Sequence, residues 1–121
     1  MRQATARRSS AQHHRQRRSC FFLESDGVIA GTFALHKTGE REYELSKMAV
    51  AETMRGKGLG KRMCSLALEE ACRRNASRII LYSSRSLENA IHIYRETGFV
   101  EIPLEPGIYN RANIKMELEI R

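Results

Sequence analysis

The sequence predicts an α/β domain, with a mixed, mostly antiparallel sheet of about six strands and two helices. Two observations carry this. A strand at Glu42–Val50, a glycine-rich loop, a long amphipathic helix and an apolar strand at Arg78–Ser84 follow one another, the order of a βαβ unit. Such a crossover is right-handed and makes its two strands parallel. On either side lie short apolar or alternating runs separated by turn residues, as antiparallel strands require. At 121 residues, 41% of them hydrophobic, one domain with a modest core is expected.

Residues 1–19 hold almost nothing apolar and are expected to form a disordered, arginine-rich tail, leaving 20–121 as the folded domain. Cys20–Glu24 and Val28–His36 read as a hairpin across the turn residues Ser25-Asp26-Gly27. Lys37–Arg41 is the next turn, and Glu42–Val50 the third strand. Tyr43 and Leu45 share one face there, Glu44 and Ser46 the other. The alternation breaks at Met48-Ala49-Val50, where a β-bulge would fit.

Gly58–Asn75 is the first helix. Leu59, Met63, Leu66, Ala67 and Ala71 form its apolar stripe, and Arg62, Ser65, Glu69 and Arg73 its polar one. Arg78–Ser84 is nearly all apolar, as expected of a strand covered on both faces. Ser86–Thr97 is the second helix, with Ser86 its expected N-cap and Gly98 its C′ residue. Phe99–Leu104 and Asn113–Ile120 close the sheet. The last of these alternates and should keep one wet face.

The formal net charge of +7 is uneven. Six of the 21 basic residues lie in the first eighteen positions, leaving 15 against 14 acids in the rest. The domain is therefore nearly neutral, which disfavours nucleic acid as its partner. The tail could be an arginine arm for nucleic acid, an organelle transit peptide, or a segment of no specific role. His13 and His14 have no other ligand type near them in sequence, and no metal site is expected. No apolar run reaches the length of a membrane span. Cys64 and Cys72 lie about 12 Å apart along one helix, too far for a disulfide, so both read as small core residues. An odd count of three cysteines without a C-x-x-C pair points to a reducing, cytoplasmic compartment.

Arg55-Gly56-Lys57-Gly58-Leu59-Gly60 puts glycines where a helix begins. Exposed N–H groups and the positive end of the helix dipole together make an anion site. A nucleotide P-loop would need a hydroxyl after the lysine, and Gly60-Lys61-Arg62 has none. A dinucleotide loop would need a different glycine spacing and an acid after the next strand, which ends in Tyr82-Ser83-Ser84.

The loop, preceded by Met48-Ala49-Val50 and followed by Ala90-Ile91-His92-Ile93-Tyr94-Arg95-Glu96-Thr97-Gly98-Phe99, resembles the GNAT N-acetyltransferase family. Arg55, Gly58 and Gly60 match its Arg/Gln-x-x-Gly-x-Gly/Ala pattern. The resemblance covers residues 20–121 and implies an acyl-CoA N-acyltransferase fold. It further implies an enzyme, an acyltransferase moving acetyl from acetyl-CoA to a primary amine by direct transfer, with no metal. Arg55, Gly56, Lys57, Gly58, Leu59, Gly60 and Lys61 would cradle the pyrophosphate. The Met48, Ala49 and Val50 backbone would pair with the pantetheine arm as an added strand.

By the same resemblance Tyr94 gives a proton to the departing thiolate. Glu44 holds the base position of the histone-acetylating branch. The base position of the branch that acetylates protein N-termini is Tyr82 here. Leu87 stands where the family often has Asn. The family's first strand and its two helices, which wall the acceptor site, are not recognisable before Cys20, so the domain reads as N-terminally truncated. A small-molecule amine is favoured over a protein lysine or N-terminus. A catalytically impaired acyl-CoA-binding fragment is the main alternative, and a homodimer is left open.

Overall fold

A computed structural model describes residues 5–8, 18–56, 58–107 and 112–120, the first of these as backbone. It contains seven strands: β1 (Thr5–Arg8), β2 (Arg18–Ser25), β3 (Val28–Gly39), β4 (Glu42–Val50), β5 (Arg78–Ser83), β6 (Val100–Ile102) and β7 (Ile114–Glu119). Helix α1 (Leu59–Arg73) connects β4 to β5, and α2 (Glu88–Thr97) connects β5 to β6. The sheet order is β1-β2-β3-β4-β5-β7-β6. β4 and β5 are parallel and every other neighbouring pair is antiparallel.

The α/β class, the parallel crossover and both helices agree with the sequence. Among the described residues the sheet has seven strands, against the about six expected. The added strand lies within the segment read as an arginine-rich tail. Thr5–Arg8 pairs antiparallel with Phe21–Glu24, and Arg18 and Ser19 belong to β2. An edge strand is recruited by backbone hydrogen bonds, which composition does not encode. The histidine pair and the remainder of residues 9–17 lie outside the described residues.

Local chemistry explains most element ends. Asp26 and Gly27 both have positive φ (56° and 79°), as a two-residue type I′ hairpin demands. Helix α1 ends in a Schellman motif. The Ala76 N–H reaches the Ala71 carbonyl, the Asn75 N–H reaches that of Cys72, and Asn75 takes φ 64°. The N-cap of α2 is Leu87, without a side-chain cap, which corrects the Ser86 expectation. The Ser86 hydroxyl instead lies 2.8 Å from that of Ser84.

The helices share one face of the sheet. Phe21, Leu23, Phe33, Leu35, Tyr43, Leu45, Ile79, Leu81, Ile114 and Met116 meet Met63, Cys64, Ala67 and Ala71 of α1 and Tyr94 of α2. Cys72 is exposed rather than a core residue; all three cysteines are free thiols. Arg74 braces the far end of α1, its guanidinium over the rings of Phe21 and Tyr43 and bonded to Glu70 and Ser19. No helix among the described residues is long and apolar enough to cross a membrane.

Candidate functional site: a splayed parallel strand pair

The parallel ladder joins Glu42–Leu45 of β4 to Arg78–Leu81 of β5 and stops there. β4 runs on to Val50, paired on its other side with β3. Beyond Leu45, one backbone edge of β4 therefore faces an opening rather than a strand. A bulge lies at the same place. Ala34 is opposite Ser46 and Thr32 opposite Ala49, so β4 carries one extra residue, and Lys47 takes φ 55°. The bulge shifts the alternation by one residue. Tyr43 and Leu45 face the core before it, Met48 and Val50 after it, with Ala49 exposed. The other end of the pair is clamped. Arg78 donates to Glu42 from Nε at 2.7 Å and Nη2 at 2.6 Å, and its Nη1 pairs with Glu117 of β7.

The glycine loop follows directly on the end of β4. After a single 3₁₀ turn at Glu52–Met54, Arg55 folds back and its Nε donates to the Val50 carbonyl at 3.3 Å. Gly58, the N-cap of α1, lies in the left-handed region at φ 76°, and a Cβ there would meet nothing within 4 Å. No side chain caps α1, and its first turn holds no acid. The first amides of α1 thus have no side-chain acceptor among the described residues. Lys57 lies outside the described residues. Leu59 packs against the core, and Lys61 sits 3.7 Å from Glu96 of α2.

Tyr94 lies on the helix face of the sheet, in the core cluster, and is 9% exposed. Burial, and then the neighbouring Cys64 thiol, push its phenol up to about 12. Cys64 itself is pushed up to about 11 by burial, against a hydrogen bond with Thr97. The Tyr94-x-x-x-Gly98-Phe99 spacing has a structural reason. Gly98 turns the chain at φ 122°, and the Phe99 N–H donates to the Tyr94 carbonyl at 3.0 Å. The two rings then meet edge to face at 5.9 Å. His92 is exposed, its Nε2 3.4 Å from Glu96 Oε2.

Glu44 lies on the opposite face of the sheet from Tyr94, half-buried and directly across from His36 of β3. Glu44 and Tyr94 therefore lie on opposite faces of the sheet, Glu44 within the paired part of β4, opposite Ile80 of β5. Sequence reasoning missed His36 and Ser46 on Glu44's face. Both carry a buried polar atom, His36 Nδ1 and Ser46 Oγ, without a hydrogen-bond partner among the described residues. It also missed Lys115. That residue is 6% exposed, on the strand face expected to be wet. It pairs with Tyr82 in the sheet register, places its Nζ 5.3 Å from the Tyr82 ring centroid, and bonds Glu105 at 2.6 Å. Among the described residues no cluster of three His, Cys, Asp or Glu side chains forms a metal site.

The family model described as "Acetyltransferase (GNAT) family" matches residues 2–99. Its range takes in most of the arginine-rich segment that the sequence had set apart. An uncharacterised N-acetyltransferase of Bacillus subtilis is 29% identical over 84 residues, covering 69% of this chain and 54% of that protein. The chain spans about half or less of the length of the curated relatives it matches. Among solved structures, a Bacillus subtilis acetyltransferase in complex with CoA superposes with a TM-score of 0.84 at 19% identity, over 98% of this chain and 100% of that one. The spermidine N-acetyltransferase of Vibrio cholerae, in complex with CoA and spermine, gives 0.74 at 23% identity, over 88% and 68%. At these identities the superpositions show the shared fold.

Proposed function

Because the chain belongs to the acetyltransferase (GNAT) family, we propose that it moves acetyl from acetyl-CoA directly to a primary amine, with a small-molecule amine as the favoured acceptor. The observation that carries this reading is the pairing of an open β4 edge with an uncapped helix start beside it. The first suits a chain of amides and the second a pyrophosphate, the two parts of coenzyme A that recognition must grip. The spermidine acetyltransferase neighbour supports a small amine by analogy of fold. The near-neutral domain gives no pull toward nucleic acid, and the reading needs no membrane.

Acetyl-CoA supplies the activated acetyl thioester; the chain supplies position and protons. Gly56, Gly58, Gly60 and the first-turn amides, with Arg55, Lys57, Leu59 and Lys61 around them, hold the phosphates. The Met48–Val50 backbone aligns the arm and points an N–H at the thioester oxygen, polarising the carbonyl. Glu44 takes the proton of the acceptor's ammonium, because only the neutral amine has a lone pair to attack with. Tyr94, held protonated by its surroundings, donates to the departing sulfur from the other side. Acid and base thus work from opposite faces and do not neutralise one another.

A second reading, binding of acetyl-CoA without transfer, is favoured by one observation. Only nine residues separate β1 from β2, where the family's resemblance calls for two helices walling the acceptor. One assay separates the two. The full chain is incubated with acetyl-CoA and a panel of polyamines, amino acids, aminoglycosides and peptides, and free thiol is followed. Amine-dependent thiol release from at least one class supports transfer. Binding of acetyl-CoA by calorimetry with no release across the panel supports the second reading. Neither binding nor release would sink both.

A further inference from the structure

Two buried side-chain polar atoms lack a hydrogen-bond partner among the described residues, and both flank Glu44. His36 is its register partner across β3 and β4, and Ser46 lies two residues along on the same face. Opposed Cα atoms in such a ladder are about 4.5–5.5 Å apart. A buried polar atom left without a hydrogen bond keeps its full desolvation cost, so a pair around one carboxylate calls for a role.

We propose that His36 is a positioning residue for Glu44, receiving through Nδ1 the proton that Glu44 takes from the acceptor, with Ser46 Oγ and one bridging water completing the path. This rests on the proposed transfer reaction. The ammonium RNH3+ gives one proton to the Glu44 carboxylate and becomes RNH2. The Glu44 carboxylic acid passes that proton through the water to Nδ1 of neutral His36, which restores the carboxylate and forms an imidazolium. The imidazolium then loses its Nε2 proton to solvent and is neutral again. No oxidant or further reactant is needed.

The surroundings of His36 suit the cycle. From β4 it faces Glu44, with Glu42 and Ser46 on either side; from β2 it faces Arg18, with Cys20 beside it; on β3 itself Lys37 and Thr38 follow it. His36 thus stands between Glu44 on one neighbouring strand and Arg18 on the other. Both described helices pack on the other face of the sheet, so neither intrudes.

Two measurements on the full chain test this. In the first, the His36 imidazole is assigned in the NMR spectrum by its absence from His36→Asn, and its Nδ1 resonance is compared in wild type and Glu44→Gln. Removing the carboxylate should shift that resonance. An unchanged resonance overturns the proposal. In the second, kcat/KM for spermidine, or for the best amine of the panel, is followed against pH at saturating acetyl-CoA. His36→Asn should lower kcat about tenfold or more and move the acidic limb, with KM for acetyl-CoA unchanged. A uniform loss at every pH, or a loss confined to thermal stability, would mean His36 is structural only and also overturns it. If no amine is acetylated at all, the transfer reading fails while the NMR comparison still decides whether His36 and Glu44 are coupled.

Discussion

A Cβ built on Gly60 of α1 would lie 3.1 Å from Cδ1 of Ile93 on α2, whereas one on Gly58 would meet nothing. The two glycines therefore do different work, although one pattern contains both. Gly60→Ala gains about 0.5–1 kcal/mol of helix propensity and asks only the flexible tip of Ile93 to shift. Gly60→Leu overpacks the helix contact, at about 1–3 kcal/mol. Gly58→Leu strains a left-handed residue by about 1–2 kcal/mol and fills the space before the helix amides. Thermal unfolding and acetyl-CoA calorimetry should separate them. Gly60→Ala should keep its affinity within about twofold, and Gly58→Leu should lose about tenfold or more, roughly 1.4 kcal/mol. Equal losses would mean that a Cβ at Gly60, like one at Gly58, blocks the phosphates, although both backbone N–H groups remain.

That division shows how far the sequence reaches. The βαβ unit, the bulge and the tyrosine–glycine–phenylalanine turn were legible because each leaves a local mark: a change of period, a break in alternation, a glycine at a helix end. Strand β1 was not, because Thr5–Arg8 is placed by backbone pairing with β2. His36 was not legible either. Its partner Glu44 lies across a hairpin whose register a second irregularity, between Lys37 and Gly39, helps to set. Lys115 alternates as a solvent-facing residue would, and only the Glu105 carboxylate and the Tyr82 ring make its burial tolerable.

Tyr94→Phe should lower kcat by about 10²-fold or more while leaving acetyl-CoA affinity unchanged, since general acid catalysis contributes on that order. The pH profile is the more specific readout. A phenol of ordinary acidity would begin to lose its proton above about pH 9. With burial holding Tyr94 near about 12, the wild-type rate should show no falling limb up to about pH 10.5. A limb near pH 9–10 that vanishes in Tyr94→Phe would contradict that assignment.

The Arg78 clamp should appear in acid stability. Burial raises the Glu42 pKa, but hydrogen bonds from Thr38 and Arg78, and the charge of Arg78, outweigh it and hold the carboxyl below the ordinary glutamate value. A depressed folded pKa stabilises above the unfolded value and is lost as pH falls through the folded one. Wild type should therefore lose this contribution from about pH 4.5 downward. Arg78→Met should lose about 1 kcal/mol at pH 7, a modest figure because the Arg78 side chain is 38% exposed and screened by water. Its stability should then fall less steeply on acidification, as read by urea unfolding at pH 7, 4.5 and 3. Parallel curves would show that the clamp does not set the acid response.

Lys115 and Glu105 should behave asymmetrically. Glu105→Gln leaves a buried ammonium without its counter-charge, whereas Lys115→Met places an apolar chain of similar length beside the Tyr82 ring. Melting temperatures should therefore fall further for Glu105→Gln than for Lys115→Met. The double variant should resemble Lys115→Met alone, because once the cation is gone an exposed glutamine has nothing to leave unpaired. Burial opposes the charge on Lys115, but Glu105 and Tyr82 outweigh it and raise the ammonium above its ordinary pKa. The pair's stability should thus be intact below about pH 10.5 and lost as pH rises through the higher folded value. If Lys115→Met proved the more damaging single change, the ion pair would be stabilising in its own right, and the Met replacement would have failed to fill the space beside Tyr82.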